Sequence, residues 1–288
     1  MQTTRYEAPG TIADALAVIA ANPGAMVLAG GTDLLVQYQS GMRTPSAFVD
    51  VKRIPELMQI ASDADGVTIG AAVPAVEICA NPTIQAWWPG LVEGVHLIGS
   101  TQIQGRSSIG GNLCNASPAA DSVCSLIAGQ GVAVIAGPKG EREVPVEQFA
   151  VAPGRSVLGR DELLVAVRLP KPAPHTGDAY QRLIPRSEMD IAVASAAVSV
   201  TLDATGLCVA ARVAIGAVAP TARLVPDAAA ALVGSRLEAS ALQQAAAAAS
   251  AAAQPIDDKR GTVAYRRQVV GVLTRRVALV AAARAKDR

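Results

Sequence analysis

The 288-residue sequence predicts an α+β protein built from two or three packed units. Three observations support this prediction. Within the first 55 residues, a helix, a strand, a glycine-rich turn, a second helix and a second strand follow one another. Short strands and helices then alternate as far as about residue 172. After a proline-rich connector, two long strands and three helices complete the chain.

The first predicted unit covers residues 1–55. Thr11 and Asp14 resemble a helix start, and the apolar residues after them recur at helical spacing. Residues 26–29 are predicted to form a buried strand. Two glycines follow it and form a turn that leads into a second helix. A short strand over residues 48–51 closes this α/β unit.

The second predicted unit covers residues 56–177 and the third covers residues 178–288. The boundary follows from Pro170, Pro172 and Pro174, which stiffen the connector between them. In the second unit we predict strands over 67–72, 132–136 and 163–169, with helices over 76–79, 90–98 and 119–128. In the third we predict strands over 191–202 and 207–217, joined by a hairpin turn, and helices near 221–232, 240–253 and 262–285.

Composition excludes several classes of function. The 25 basic and 24 acidic side chains nearly cancel, and only 3% of residues are aromatic, so a nucleic-acid partner is not expected. The four cysteines form no C-x-x-C pair and there are two histidines, so we predict no metal in this chain. We predict free, reduced cysteines, no membrane span and a cytoplasmic location.

Two glycine-rich turns carry the strongest functional signal. The first glycine turn is residues 29–34 (AGGTDL), and the second glycine turn is residues 108–113 (SIGGNL). Each can present backbone N–H groups to a phosphate, although each could also be a plain connecting turn. Neither matches a P-loop or a Rossmann fingerprint. Asp33 would repel a phosphate, so we expect it to point away and to cap backbone groups or meet a ribose hydroxyl.

The sequences of both turns resemble motifs of the FAD-binding medium subunit of the molybdenum hydroxylases. This family contains xanthine dehydrogenase and bacterial carbon monoxide dehydrogenase. The resemblance spans nearly the whole chain. It implies a two-lobed, vanillyl-alcohol-oxidase-like (PCMH-type) FAD-binding fold and a C-terminal α/β domain with a small antiparallel sheet and helices. Its markers, in order, are AGGTDLL from Ala29, FVD from Phe48, IPEL from Ile54, SIGGN from Ser108, SPAAD from Ser117, DELL from Asp161, MDIA from Met189, GAVAPT from Gly216 and YRR from Tyr265.

Residue by residue, the resemblance implies an FAD site that both turns and a few later positions form. Ile98 and Ile191 match positions that flank the isoalloxazine ring, although both could equally be ordinary core residues. Gln104 departs from the family pattern because many relatives carry arginine there, and Ser108 stands where many carry threonine. The implied cofactor-binding residues are Ala29, Gly30, Gly31, Thr32, Asp33, Leu34, Ile98, Ser108, Gly110, Gly111, Asn112, Asn115, Asp121, Leu164, Arg182 and Ile191.

The implied function is electron transfer inside a larger complex. A large partner subunit would hold the molybdenum cofactor, and a small partner subunit would pass electrons through two [2Fe-2S] clusters to FAD in this chain. A heterotrimer, or a dimer of heterotrimers, is expected, with no catalytic side chain here. Two alternatives stay open: a self-contained flavin oxidase, and a cofactor-free assembly protein.

Overall fold

The computed structural model describes residues 4–288. Its first region is a three-stranded parallel sheet in the order β1-β3-β2, with two helices. The first helix begins where Thr11 Oγ1 accepts a hydrogen bond from the Asp14 backbone N–H, and it buries Ala15 and Ile19. The elements are β1 (Arg5–Glu7), α1 (Ile12–Ala21), β2 (Met26–Leu28), α2 (Leu34–Gln39) and β3 (Ala47–Asp50).

The second region holds a five-stranded antiparallel sheet in the order β4-β5-β10-β6-β7, with helices packed on it. Short 3-10 turns over Val51–Arg53 and Pro55–Leu57 lead into it. Its elements are β4 (Ile60–Ser62), β5 (Gly66–Gly70), α3 (Ala75–Ala80), α4 (Pro82–Trp87), α5 (Pro89–His96), α6 (Thr101–Gln104), α7 (Ile109–Cys114), α8 (Asp121–Ala128), β6 (Val132–Gly137), β7 (Gly140–Pro145), α9 (Val146–Phe149), β8 (Ala150–Ala152), β9 (Arg155–Ser156) and β10 (Leu163–Pro170).

The third region is a four-stranded antiparallel sheet in the order β11-β12-β13-β14, with three helices. Along β12 the side chains alternate between two cores: Ala196 and Val198 pack with the C-terminal helices, while Ala197 packs with the second region. Both faces of this sheet are therefore covered. The elements are β11 (Thr176–Leu183), β12 (Ala194–Leu202), β13 (Cys208–Gly216), β14 (Arg223–Leu224), α10 (Pro226–Leu232), α11 (Ala239–Ala252) and α12 (Val263–Lys286).

The first two regions also share a core, because Ala15 and Val49 of the first region pack with Val134 and Leu163 of the second. The two glycine turns lie between these regions. None of the helices within residues 4–288 is both long and apolar enough to cross a membrane. The domain boundaries after residues 55 and 177 stay a prediction.

Most predicted helices and strands are present, with ends displaced by a few residues. Two differences matter. The second predicted glycine turn is largely helical, because residues Ile109–Cys114 form the helix α7, which begins at a serine cap. The strand Thr176–Leu183 was not predicted because its polar residues give no strand pattern, and its pairing with β12 decides its conformation.

Candidate cofactor-binding site

A cavity of about 380 Å³ lies between the first and second regions. Both glycine turns line it, and residues 158–160 and 162–164 form another part of its wall. Its volume is in the range of small-molecule and cofactor pockets, which is about 300 to 1,000 Å³. The cavity is therefore large enough to take a substantial part of an extended ligand.

The first glycine turn offers a row of free backbone donors to this cavity. The N–H groups of residues 30–34 donate to no acceptor within residues 4–288. Four of these five residues precede α2, and Leu34 is the first residue of that helix, so the row includes the helix N-terminus. Consecutive unpartnered N–H groups at a helix start form a concave site for an anionic group such as a diphosphate.

Two cations hold the carbonyl groups of this turn. Lys52 Nζ donates to the Ala29 carbonyl oxygen at 2.9 Å, and Arg106 Nε donates to the Gly30 carbonyl oxygen at 3.4 Å. Because the C=O and N–H of a trans peptide point in opposite directions, each contact turns the following N–H the other way. The N–H groups of Gly30 and Gly31 are thus fixed in orientation.

Lys52 is itself held by a short chain of polar contacts. Its Nζ lies 2.7 Å from Asp50 Oδ1, and the Tyr6 hydroxyl donates to Asp50 Oδ2 at 2.5 Å. Burial alone would raise the pKa of the Asp50 carboxyl, but the hydrogen bonds from Lys52 and Tyr6 hold that pKa below its usual range. Asp50 is therefore a stable anionic partner for Lys52.

The second glycine turn pairs the backbone N–H groups of residues 110–112 with acceptors of the protein. Ser108 Oγ caps α7 by accepting from the Gly111 N–H at 3.1 Å, and the Asn112 N–H donates to the Ser108 carbonyl oxygen. The Gly110 N–H donates to the Ala71 carbonyl oxygen at 3.1 Å. This turn therefore presents hydroxyl and amide side chains to the cavity, from Ser108 and Asn112.

Close backbone contacts explain one glycine in each turn. A Cβ on Gly30 would overlap the carbonyl oxygen of Arg106, and a Cβ on Gly110 would overlap that of Ala71. Gly30 therefore lets the first turn touch the loop that leads into the second turn. The sequence suggested close approach to a ligand, whereas at these two positions the structure shows close approach of one protein segment to another.

All but three of the predicted site residues line the cavity. Asp33 lines it too, and in the described residues its carboxylate makes no capping hydrogen bond, so the expectation that it caps backbone groups is wrong. Partial desolvation raises the pKa of the Asp33 carboxyl. The predicted residues that line the cavity are Ala29, Gly30, Gly31, Thr32, Asp33, Leu34, Ile98, Ser108, Gly110, Gly111, Asn112, Asn115 and Leu164.

Asp121, Arg182 and Ile191 lie outside the cavity wall. Arg182 Nη1 donates to Asp121 Oδ2 at 2.6 Å, and the Tyr180 hydroxyl donates to Asp121 Oδ1 at 2.9 Å. These contacts join the start of α8 to β11 and occupy both carboxylate oxygens. Ile191 is 52% exposed, which removes the alternative that it is an ordinary core residue. The assignment of all three to the cofactor stays a prediction.

Ser107 is a cavity residue that the sequence did not single out. Its hydroxyl oxygen is buried and has no hydrogen-bond partner in the described part of the chain. A buried hydroxyl without a partner is unfavourable unless a ligand or water completes it. Together with the free N–H groups of the first turn, Ser107 fits a ligand that offers several acceptors, as FAD does.

Further cavity residues were also missed, some next to a glycine turn and others far along the chain from both. Glu162 is one of them, and Arg142 pairs with it through Nε at 2.7 Å and Nη2 at 2.6 Å. The hydrogen bonds from Arg142 lower the pKa of Glu162 to about 2. Glu162 lies within the DELL marker, but the resemblance implied only Leu164 of that marker as a cofactor residue. The missed residues with polar side chains are Gln37, Arg43, Ser107, Cys114, Arg160 and Glu162.

Gln104 has a structural role in place of the arginine that many relatives carry. Its side chain is 7% exposed, and its Nε2 donates to the carbonyl oxygen of His96, the last residue of α5. A neutral amide satisfies this helix end without burying a charge. Among residues 4–288, no group of three His, Cys, Asp or Glu side chains comes together in a way that could hold a metal ion.

Two family models and several known proteins match the sequence of this chain. A family model described as the FAD binding domain in molybdopterin dehydrogenase matches residues 2–172, and one described as the CO dehydrogenase flavoprotein C-terminal domain matches residues 179–281. The carbon monoxide dehydrogenase medium chain of Hydrogenophaga pseudoflava is 34% identical over 281 residues, with 97% of each chain covered. The putative xanthine dehydrogenase FAD-binding subunit of Escherichia coli K12 is 31% identical, with 94% of each chain covered.

The fold of this chain is also similar to that of a solved structure. The solved structure of reconstituted CO dehydrogenase from Oligotropha carboxidovorans superposes with a TM-score of 0.94 at 33% identity, covering 98% of each chain. The predicted α+β fold class is thus confirmed, and so is the resemblance on which it rested. The chain belongs to the FAD-binding medium subunits of the molybdenum hydroxylase family, the oxidoreductases that include CO dehydrogenase and xanthine dehydrogenase.

Proposed function

We propose that this chain is the electron-transfer subunit of a heterotrimeric molybdenum hydroxylase. It receives electrons from two [2Fe-2S] clusters of a small partner subunit and passes them to an external acceptor. The electrons originate from a substrate that a large partner subunit would oxidise at its molybdenum cofactor. FAD supplies the chemistry, because a flavin accepts electrons and releases them singly or in pairs.

The observation that carries the proposal is the row of free donors in the first glycine turn. Residues 30–34 hold N–H groups without protein acceptors at the start of a helix, beside a cavity of about 380 Å³. They would hold the diphosphate of FAD through backbone hydrogen bonds. Ser107, Ser108 and Asn112 would add hydroxyl and amide contacts from the opposite turn. The remaining cavity wall would orient the cofactor and limit its contact with water.

The relatives support a place in a multi-subunit complex. Besides the medium chain from Hydrogenophaga pseudoflava, a nicotine 6-hydroxylase medium subunit is 28% identical over 280 residues. Names of this kind belong to proteins that work with other subunits. We infer a complex of this chain with one large and one small subunit, either as a heterotrimer or as a dimer of heterotrimers.

Flavin binding is tested first, on the full chain. After removal of any bound flavin, titration with FAD should restore flavin absorbance bands with a protein-bound shape and saturate at one FAD per chain. An assembly protein without a cofactor would leave the spectrum of free FAD unchanged. That outcome would overturn the proposal.

Electron transfer is tested on the native complex. Adding the substrate of the large subunit should bleach the flavin absorbance, and the purified chain alone with FAD should show no bleaching by the same substrate. Rapid reduction of the isolated chain would instead support a self-contained flavin oxidase. Purification of the chain from its native host should also retain both partner subunits.

A further inference from the structure

We propose that Ser122 is a positioning residue that fixes the side-chain amide of Asn112, so that Asn112 presents an N–H donor to the bound cofactor. This inference rests on the proposed FAD site and goes beyond it, because Ser122 does not line the cavity and carries no implied role. The hydroxyl of Ser122 acts on the cofactor only through Asn112.

The contacts between the two residues determine which end of the amide is free. Asn112 Oδ1 accepts from the Ser122 hydroxyl at 2.8 Å and from the Ser122 backbone N–H at 3.4 Å. A backbone N–H can only donate, so the oxygen end of the amide must face Ser122. The Nδ2 end therefore points away from Ser122, and it has no acceptor among residues 4–288.

The surroundings make this arrangement rigid. Ser122 is fully buried, and it lies in the first turn of α8, whose N-cap residue Ala120 offers no capping side chain. Asn112 thus caps α8 from the neighbouring helix α7. Asp121, next to Ser122, is tied to Arg182 of β11 at 2.6 Å. The first turn of α8 is consequently held from both sides, and the amide of Asn112 is held with it.

Two roles for Asn112 must be separated by experiment. In a purely structural role, Asn112 caps α8 and needs only its acceptor oxygen. In the proposed role, the Nδ2 donor also contacts the cofactor. Asn112→Asp tests whether Asn112 faces the cofactor as well as capping α8, because a carboxylate keeps the acceptor for Ser122 and favours the helix N-terminus but has no N–H donor. Its added negative charge near the diphosphate acts in the same direction as the lost donor.

The decisive measurement is the FAD dissociation constant of the deflavinated full chain, obtained by titration followed through flavin fluorescence. Ser122→Ala should raise this constant about threefold to tenfold, the effect of one net hydrogen bond. Ser125→Ala is the matched control. Ser125 lies on the same helix, is 3% exposed and donates to the Gly90 carbonyl oxygen at 2.8 Å, but it does not touch Asn112.

A double-mutant cycle then tests whether Ser122 acts through Asn112. In an Asn112→Ala background, Ser122→Ala should produce no further loss of FAD affinity, because the group that Ser122 positions is already gone. An equal loss in both backgrounds would overturn the proposal. So would equal losses from Ser122→Ala and Ser125→Ala, since that pattern reports general destabilisation of α8.

Asn112→Asp completes the test and keeps it decisive if Ser122→Ala fails to fold. The Asp variant should unfold at a temperature equal to or above that of the wild type while binding FAD at least tenfold more weakly. Unchanged FAD affinity would show that Asn112 is only a helix cap, and the proposal would fail. If the wild-type chain binds no FAD at all, the proposed function fails instead, so the two failures are distinguishable.

Discussion

The two glycine turns have similar sequences but use their backbones in opposite ways. The first turn keeps the N–H groups of residues 30–34 free of protein acceptors, while Lys52 and Arg106 hold its carbonyl groups. The second turn donates the N–H groups of residues 110–112 to Ala71 and Ser108 and forms a helix. Glycine content alone therefore does not identify an anion site. What matters is which backbone groups the rest of the fold has already paired.

The largest expected effect comes from the contact between the two turns. Gly30→Ala places a methyl group on the carbonyl oxygen of Arg106, so the first turn must move away from the loop that precedes the second. We expect FAD affinity in a fluorescence titration to fall between about tenfold and a hundredfold, the usual cost of overpacking. Gly105→Ala is the control, because its Cβ would meet no described atom within 4 Å. Similar losses in both variants would contradict this account.

A smaller loss should follow when the carbonyl groups of the first turn are released. Lys52→Met removes the cation that holds the Ala29 carbonyl, so the peptide between Ala29 and Gly30 can rotate its N–H away from the ligand. We expect about a tenfold loss of FAD affinity, as for one charge-assisted hydrogen bond. Arg53→Met is the control, because it removes the same charge from the next position, where the side chain is exposed.

Equal losses of FAD affinity in Lys52→Met and Arg53→Met would show that only overall charge matters. That result would contradict the proposed role of Lys52 in orienting the first turn. Thermal unfolding without FAD should accompany these titrations, because Asp50 loses its ion-pair partner in Lys52→Met. A change in melting temperature without a change in FAD affinity would likewise count against orientation of the turn by Lys52.

The second turn should respond mainly in stability. Ser108→Ala removes the cap of α7 and frees the Gly111 N–H, which should lower the free energy of unfolding by about 1 kcal/mol in a denaturant titration. Ser100→Ala is the matched control. Ser100 also occupies an N-cap position, at α6, but in the described chain its side chain accepts no capping hydrogen bond. A larger loss from Ser100→Ala would contradict the assigned capping role.

The smallest effect concerns Asp33, the one acid within the first turn. Its carboxylate should repel a diphosphate, so Asp33→Asn should bind FAD about twofold to threefold more tightly at pH 7, a modest gain because the side chain is exposed. Glu56→Gln, an exposed change outside the cavity, should have no effect. Weaker binding by Asp33→Asn would instead indicate that the carboxylate accepts from the ligand.

The same residue gives a pH dependence with a definite sign. Desolvation raises the pKa of Asp33 in the folded chain, so the carboxyl is neutralised at a higher pH than in the unfolded chain. Wild-type FAD affinity should therefore increase as pH falls through this raised pKa, and Asp33→Asn should lack the increase. The wild-type Asp33 carboxyl contributes stability that is fully present below its pKa in the unfolded chain. This contribution is lost as pH rises through its raised pKa in the folded chain.

The sequence by itself determined the local features of this protein. The Thr11 cap and the apolar spacing after it specified α1, and the ordered motifs specified the family, because these signals depend on neighbours a few residues apart. The cavity residues within the two glycine turns were all predicted, because both turns carry a recognisable motif. The strand Thr176–Leu183 was missed, since its conformation depends on pairing with β12.

Only the tertiary structure decided how the two turns differ. The Arg106 contact with Gly30, the Ala71 contact with Gly110 and the Ser122 contact with Asn112 all join residues that are distant along the chain or on different helices. Each such contact either uses a backbone or amide group or leaves it free for a ligand. Hydrogen-bond capacity is limited and is shared across the whole fold, so no local motif can show which donors remain for FAD.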